Sequence, residues 1–220
     1  TLRGINIYNA SSDDFDQIDA EHASDANGLN SNFINSIYYD RGILWLGTET
    51  GGINKLSPRN AYIRHYTHDN NIEGSLSRNP VNAILEDEDE NLWIGTVEGG
   101  LNLKKKGEEV FTHYTTSSPA RLSHNSVSAL SIDEAQRLWT GTWGFGVTLL
   151  DMKHPGMLPV KYINSALYPQ FLVDFVGALS YDQQNNGMWI GTNQGLFFYD
   201  IDKDLLQKPF RDGLSDHING

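Results

Sequence analysis

Two aromatic residues, Trp143 and Phe145, flank a glycine in the short segment between Thr142 and Val147. An aromatic ring in a loop can stack on the apolar face of a sugar while polar neighbours hydrogen-bond to its hydroxyls. The corresponding segments elsewhere in the chain supply such polar neighbours: Glu49, Thr50, Glu98, Asn193 and Gln194. We predict that these seven residues bind a ligand. The alternative is that Trp143 packs against a neighbouring part of the fold or contacts another domain.

The acidic run 86–90 resembles a calcium loop in its spacing. Oxygen-bearing residues fall at positions 1, 3, 5 and 12 of an EF-hand-like count: Asp87, Asp89, Asn91 and Glu98. Position 6 of that count requires Gly and is Leu92 instead, at the start of a predicted strand. We therefore interpret the run as solvated hairpin charge, and we expect the Asp residues to accept backbone N–H bonds in the turn.

The sequence also lacks the motifs of zinc sites, of common cofactor sites and of nucleophilic catalysis. The 7 His residues show no His-Glu-x-x-His pattern, and the chain has no Cys, so we predict no metal site. There is no G-x-S-x-G nucleophile elbow and no phosphate-binding P-loop, and Gly144-Phe145-Gly146 lacks the third glycine of a dinucleotide loop. His65 and His113 occupy equivalent positions of a repeat. We predict no catalytic residue and no cofactor.

A repeat positions these candidate residues. Four Trp residues each precede a variable residue followed by Gly-Thr, and they are separated by 48, 46 and 50 residues: Trp45, Trp93, Trp139 and Trp189. A Gly and an apolar residue follow each Thr, and an apolar pair followed by an Asp precedes each Trp. Those acidic residues are Asp40, Asp87, Asp133 and Asp182. A repeat of 46–50 residues suits a propeller blade.

Each repeat reads as four short strands. In the strand that carries Trp45, Leu44 and Leu46 point to the opposite face, so both faces are apolar. A strand buried on both faces indicates a sheet between two other sheets, as in a propeller, whereas a two-layer sandwich would leave one face polar. We predict an all-β fold, a partial β-propeller of four-stranded antiparallel blades. The expected boundaries are a half blade over 1–28, blades over 29–75, 76–121, 122–170 and 171–213, and the start of another over 214–220.

The net charge and the hydropathy of the chain argue against nucleic-acid binding and membrane insertion. The chain has 220 residues and a formal net charge of −12, which repels nucleic acid and anionic lipid surfaces. No apolar run approaches the ~20 residues of a membrane span, so we expect no direct membrane insertion. The chain begins at Thr1 without an initiator Met or leader. We expect it to be cut from a longer precursor that holds the remaining blades.

The run 84–101, ILEDEDENLWIGTVEGGL, resembles the two-component regulator propeller repeat, and the resemblance recurs at 40–53 and less closely at 133–147 and 182–196. This resemblance implies the periplasmic part of a hybrid two-component sensor anchored in the inner membrane. Such regions are associated with oligosaccharides from complex glycans and signal to a cytoplasmic histidine kinase outside this chain. It also implies a downstream β-sandwich domain as a partner.

We therefore expect a ligand-sensing propeller segment that binds a small molecule or an oligosaccharide and is not itself an enzyme. Homodimerisation is left open. One alternative is a secreted, lyase-like propeller enzyme, for which His68 and His124 with nearby acids are the candidate residues. The other is a passive propeller that binds proteins.

Overall fold

The computed structural model describes residues 3–20, 28–57, 63–154, 156–171 and 175–209. Within these ranges the chain forms 18 β-strands and no helix, so none of the described residues belongs to a helix that could cross a membrane. The chain divides into two compact units, Thr1–His113 and Tyr114–Gly220. All of the paired strands are antiparallel neighbours in sequence, which confirms the predicted all-β fold.

The first unit contains a two-stranded sheet, β1–β2, and two four-stranded sheets, blade A (β3–β6) and blade B (β7–β10). Its strands are β1 (Ile5–Asn9), β2 (Asp14–Ile18), β3 (Ile34–Asp40), β4 (Ile43–Thr48), β5 (Ile53–Leu56), β6 (Ile63–Tyr66), β7 (Val81–Glu86), β8 (Leu92–Thr96), β9 (Gly100–Lys104) and β10 (Thr112–Tyr114).

The second unit contains blade C (β11–β14) and blade D (β15–β18). Its strands are β11 (Val127–Ile132), β12 (Arg137–Thr142), β13 (Val147–Asp151), β14 (Pro159–Ile163), β15 (Val176–Asp182), β16 (Gly187–Thr192), β17 (Gly195–Asp200) and β18 (Leu205–Gln207). In each of the four blades, the second strand carries the repeated Trp and the third strand follows the Gly turn.

The Trp of one blade packs against the first two strands of the next blade in the same unit. Trp45 of blade A is buried with Val81, Leu92 and Ile94 of blade B. Trp139 of blade C is buried in the same way against Val176, Met188 and Ile190 of blade D. This contact explains why strands β4 and β12 need apolar residues on both faces.

Glycine two residues after the Trp makes this packing close. A Cβ built on Gly47 would lie 2.6 Å from a methyl group of Val81, and one on Gly141 would lie 2.6 Å from a methyl group of Val176. Neither position accepts a larger side chain without moving the next blade. Glycine at these two positions thus permits the close approach of the next blade on the Trp face.

In blades B, C and D, the Asp that recurs in the repeat hydrogen-bonds to both the hairpin and the Trp. Asp87 accepts backbone N–H bonds from Asp89 at 3.1 Å and from Asn91 at 2.9 Å, as the sequence predicts. The indole N–H of Trp93 also donates to its Oδ2 at 2.8 Å. The same indole bond occurs from Trp139 and from Trp189. Each indole N–H is thereby satisfied next to the core.

Blade A lacks this bond. The guanidinium Nε of Arg41 donates to Asp40 at 2.6 Å, and the buried Nε1 of Trp45 has no hydrogen-bond partner. Three residues separate Asp40 from Leu44, whereas four separate Asp87 from Leu92. The shorter turn, with Arg41 and Gly42 both at positive φ, leaves the Asp40 carboxylate bonded to Arg41.

The fourth strand is tied to the segment that leads into its own blade. His65 hydrogen-bonds through Nε2 to the carbonyl of Gly28 at 3.1 Å. His113 makes the equivalent contact to Ser75 at 2.7 Å, and the hydroxyl of Tyr162 donates to Arg121 at 2.7 Å. His65 and His113 are therefore a repeated structural contact in blades A and B, in agreement with their equivalent positions in the sequence.

Candidate functional site

The predicted ligand-binding residues all lie in the turns between the second and third strands of the blades. The Thr that ends each second strand closes its turn, because its hydroxyl donates to the carbonyl of the Gly that follows. These bonds run from Thr48 to Gly52, Thr96 to Gly100, Thr142 to Gly146 and Thr192 to Gly195, at 2.8 to 3.0 Å. The residues between Thr and Gly are thus presented at the tip of a turn that is closed from within.

In the second unit, the ring of Trp143 stacks on Phe175, the residue before β15. The ring centroids are 5.5 Å apart with an interplanar angle of 13°, and the two residues form a β-bridge. The backbone N–H of Trp143 donates to Ser126 at 3.0 Å. Trp143 retains 37% of its surface exposed, so part of the ring packs against blade D and part of it faces solvent.

Phe145 lies on the same turn and stacks on His124, with centroids 5.4 Å apart and an interplanar angle of 14°. It is 54% exposed. Nδ1 of His124 accepts the backbone N–H of Ser126 at 3.0 Å, which fixes the imidazole plane beneath the phenyl ring. Gly144 has φ +112°, and a Cβ placed on it would meet nothing within 4 Å. The two aromatic residues therefore project on either side of an open glycine.

This arrangement can bind an apolar planar surface. Each ring is held by a stacked partner, and a ligand would find it oriented in advance, at a low cost in side-chain entropy. Phe175 is absent from the sequence-based set, and His124 enters there only as a catalytic candidate. The sequence does show an aromatic residue, Phe175, in the segment that leads into the first strand of blade D. The spacing of the repeat does not show that such a ring stacks on the neighbouring turn.

The polar members of the predicted set are exposed at the same type of turn. Asn193 and Gln194 lie in the turn of blade D, which is one residue shorter than the others. In the first unit, Glu49 and Thr50 lie in the turn of blade A and Glu98 in that of blade B. The backbone N–H of Glu49 donates to Phe33 at 3.0 Å, and Glu98 has φ +59°. All five side chains are exposed to solvent.

A second polar cluster in the second unit forms around Asp204. Its carboxylate accepts from Tyr168 at 2.8 Å and also from Tyr199, and it pairs with Lys161. The bonds from Lys161, Tyr199 and Tyr168 lower the pKa of Asp204 to about 2. Burial and the bond to Asp204 raise the pKa of Tyr199. This cluster joins blades C and D, and its donors and acceptor satisfy one another.

In the acidic hairpin of blade B, the carboxylate of Asp87 is engaged in hydrogen bonds within the protein. Besides the bonds already given, Asp87 accepts from the side-chain amide of Asn91 at 3.1 Å. Among the residues that the structure describes, no group of three or more His, Asp or Glu is placed to hold a metal ion. The described part of the chain therefore offers no cluster of metal ligands.

His68, a candidate residue of the enzyme alternative, lies in the first unit and makes structural contacts through both ring nitrogens. His68 Nδ1 lies 2.6 Å from the carbonyl oxygen of Leu76, and its Nε2 lies 3.1 Å from Oδ1 of Asn70. Both ring nitrogens are thus engaged, and a general base would need one of them to be available.

Comparison with known proteins gives matches in sequence and in structure. The model of the family described as two-component regulator propeller matches residues 28–50 and 75–98. The comparison with curated proteins gave no significant match. The two matched segments run from the lead-in of a blade to the turn after its Trp strand.

Two of the three structural likenesses cover at least 90% of the chain. The extracellular domain of a hybrid two-component system from B. thetaiotaomicron is 22% identical with a TM-score of 0.81, over 94% of this chain and 27% of that one. A second such domain from the same organism is 24% identical with a TM-score of 0.69, over 90% of this chain and 25% of that one. An ancestral GH74 enzyme is 14% identical with a TM-score of 0.55 over 76% of this chain.

At this level of identity the likeness establishes the fold, which is a β-propeller built from four-stranded antiparallel blades. The predicted fold class and the predicted resemblance are both confirmed. The chain spans about a quarter of the length of the two extracellular domains.

Proposed function

We propose that the chain, of which two segments match the two-component regulator propeller family, is an extracytoplasmic, ligand-sensing propeller segment of a hybrid two-component sensor. In this proposal the segment lies in the periplasm, catalyses no reaction, and passes its signal to a cytoplasmic histidine kinase outside these residues. Support comes from the family match and from the likeness to extracellular domains of hybrid two-component systems.

We further propose that the ligand is an oligosaccharide. The observation that carries this is the turn of blade C, where Trp143 and Phe145 are exposed and each is stacked on a fixed partner ring. Sugar rings present apolar C–H faces to such aromatics. In the second unit, Asn193 and Gln194 supply hydrogen-bonding groups. Within the first unit, we propose Glu49, Thr50 and Glu98 as ligand contacts in their own right.

Isothermal titration calorimetry with a panel of oligosaccharides from complex glycans tests this proposal. For a saccharide that binds the wild type, Trp143→Ala and Phe145→Ala should each weaken binding by about 10-fold, the value of a lost aromatic contact. Phe15→Ala is the matched control, because Phe15 is also an exposed aromatic residue but lies on β2. Unchanged affinity in both turn variants would overturn the assignment of this site.

A partner is proposed from an apolar cavity of about 490 Å³ between the sheet β1–β2 and blade A. Its lining includes Ile7, Ile37 and Leu44. The residues of blade B equivalent to the last two, Ile84 and Leu92, pack with Trp45 of the preceding blade, whereas Ile37 is 59% exposed. We propose that the Trp strand of a further propeller blade covers this cavity.

A chimera tests this partner. Residues 176–191 of blade D, placed directly before Thr1, would supply a first strand and a Trp strand to pair with β1. The melting temperature should then rise by a few degrees, because apolar surface is buried on folding. The matched control carries Ala in place of Trp189 in the added copy. Equal melting of chimera, control and wild type would contradict the proposal.

A further inference from the structure

Two lysines of the first unit occupy positions that are apolar in the other blades. Lys55 lies opposite Trp45 in the β4–β5 ladder, and the residues opposite the other Trp residues are Leu103, Leu149 and Phe198. Lys104 ends β9, and its counterparts are Leu56, Leu150 and Tyr199. The space between blades A and B thus holds two ammonium groups where the repeat otherwise places apolar side chains.

These ammonium groups lie around one aromatic pair. The ring centroids of Trp45 and Tyr66 are 6.0 Å apart, with an interplanar angle of 29°. Nζ of Lys55 lies 4.8 Å from the centre of Trp45, and Nζ of Lys104 lies 5.7 Å from the centre of Tyr66. The guanidinium of Arg64 lies 5.2 Å from the same Tyr66 ring. Three cations therefore converge on two buried rings.

Only one of the three charges is compensated by contact. Arg64 forms a bidentate pair with Glu109, with Nη1 3.2 Å from Oε1. Among the described residues, neither Lys55 nor Lys104 has a carboxylate within ion-pair distance or a hydrogen-bond acceptor for its ammonium group. Burial lowers the pKa of Lys104, the charge of Glu109 opposes this, and Lys55 and Arg64 lower it further. The carboxylates of Glu109 and Glu108 lie near enough to oppose this lowering of the Lys104 pKa, although neither forms an ion pair with its ammonium group.

We propose that Lys55 and Lys104, together with Arg64, bind an oxyanion, the carboxylate or sulfate group of a small acidic ligand. Partly buried ammonium groups without acceptors gain charge-assisted hydrogen bonds from such a group. Neutral apolar residues at the same positions satisfy the other blades, so packing does not require the charge. This site is separate from the turn of Trp143 and takes an anion, whereas that turn takes an apolar ring face.

An NMR titration of the lysine side chains tests the proposal. Sodium sulfate and sodium glucuronate are added in separate experiments, with sodium chloride keeping the ionic strength constant, and the Cε signals of the lysines are followed. Saturable shifts at Lys55 and Lys104 are expected, with a Kd of about 1 mM. Saturation by sulfate alone, by glucuronate alone or by both supports the site and identifies the group that it takes.

Two variants complete the test. In Lys55→Met/Lys104→Met, affinity for the anion should fall at least ~10-fold, whereas Lys105→Met, which changes an exposed lysine of the β9–β10 loop, should bind like the wild type. Shifts that fail to saturate, or equal binding by the double variant, would overturn the site.

Stability gives an independent readout. Lys55→Leu/Lys104→Leu restores the residue type of the other blades and should raise the melting temperature by ~2 °C, as expected when charges kept for binding are removed. A lower melting temperature would mean that the lysines serve packing, and it would contradict the proposal.

Discussion

The indole N–H of Trp139 donates to Oδ2 of Asp133 at 2.9 Å, and both side chains are buried. The same carboxylate accepts from the guanidinium Nε of Arg137 at 2.8 Å and from the backbone N–H of Arg137 at 3.0 Å. One aspartate thus joins the hairpin turn to the large ring that packs against the next blade. Blade A, where Trp45 lacks this partner, provides an internal comparison.

Asp133→Ala should lower the free energy of unfolding of the second unit by ~2–4 kcal/mol, because a buried indole N–H and a guanidinium lose their acceptor. Asp40→Ala should cost less than ~1 kcal/mol, since Asp40 forms its ion pair with the exposed Arg41 and accepts no indole bond. Urea unfolding followed by Trp fluorescence measures both. Equal losses in the two variants would show that the indole bond contributes nothing measurable.

Gly47→Ala and Gly141→Ala should each destabilise the protein by ~1–3 kcal/mol, because a Cβ at either position meets a Val methyl group of the next blade at 2.6 Å. Gly191→Ala is the matched control. It has the same place in blade D, but its nearest neighbour to a Cβ is at 3.3 Å, so the change should stay below ~1 kcal/mol. Thermal melts of the three variants test this order.

Thr96→Val should destabilise blade B by ~1 kcal/mol, because the hydroxyl that closes the turn at 3.0 Å to Gly100 is replaced by a methyl group of similar size. Thr96→Ser keeps the hydroxyl and should recover most of the loss. Hydrogen exchange of the amides in the turn should accelerate in the Val variant and stay close to the wild-type rate in the Ser variant. Equal exchange in both would contradict the role of the hydroxyl.

Asp204 should stabilise the second unit in a pH-dependent manner. Its pKa is about 2 in the folded protein against an ordinary value of 3.8. The stabilisation is therefore fully present above about pH 4 and is lost as the pH falls through about 2. The side chain is largely exposed, so solvent screening limits the effect to about 1 kcal/mol.

Asp204→Asn keeps a residue that tolerates the positive φ of this position. The difference in stability between this variant and the wild type should be constant from pH 5 to 7 and shrink between pH 4 and 2. The exposed Asp89→Asn, in the hairpin of blade B, serves as the comparison. A difference that does not change with pH would exclude the ion pair as its source.

Much of the fold was predictable because Trp recurs at a nearly constant spacing of 46–50 residues. Trp45, Trp93, Trp139 and Trp189 mark the second strand of every blade, and the alternation around them predicts burial on both faces. The indole bond to Asp was not predictable, since the sequence shows an acidic turn residue with several possible donors. Its loss in blade A depends on a turn one residue shorter, and the length of a turn does not by itself show in which direction the carboxylate points.

The candidate site was predictable in part. The departure of Trp143 and Phe145 from the repeat identified the turn of blade C, but the sequence does not show that Phe175 and His124, which lie in lead-in segments, stack on this turn. Lys55 and Lys104 depart from the repeat just as clearly. Their shared location between blades A and B becomes visible only when the ladders align Lys55 with Trp45 and Lys104 with Leu92.

The threonine that closes each turn has a consequence for how such a protein can change over time. Since its hydroxyl and the following glycine carbonyl complete the turn by themselves, the residues at the tip can be exchanged with little effect on folding. Glu49, Glu98 and Trp143 stand at equivalent tips with unrelated chemistry. Recognition of new molecules could therefore evolve one tip at a time on an unchanged framework, and engineered libraries could be grafted at the same places.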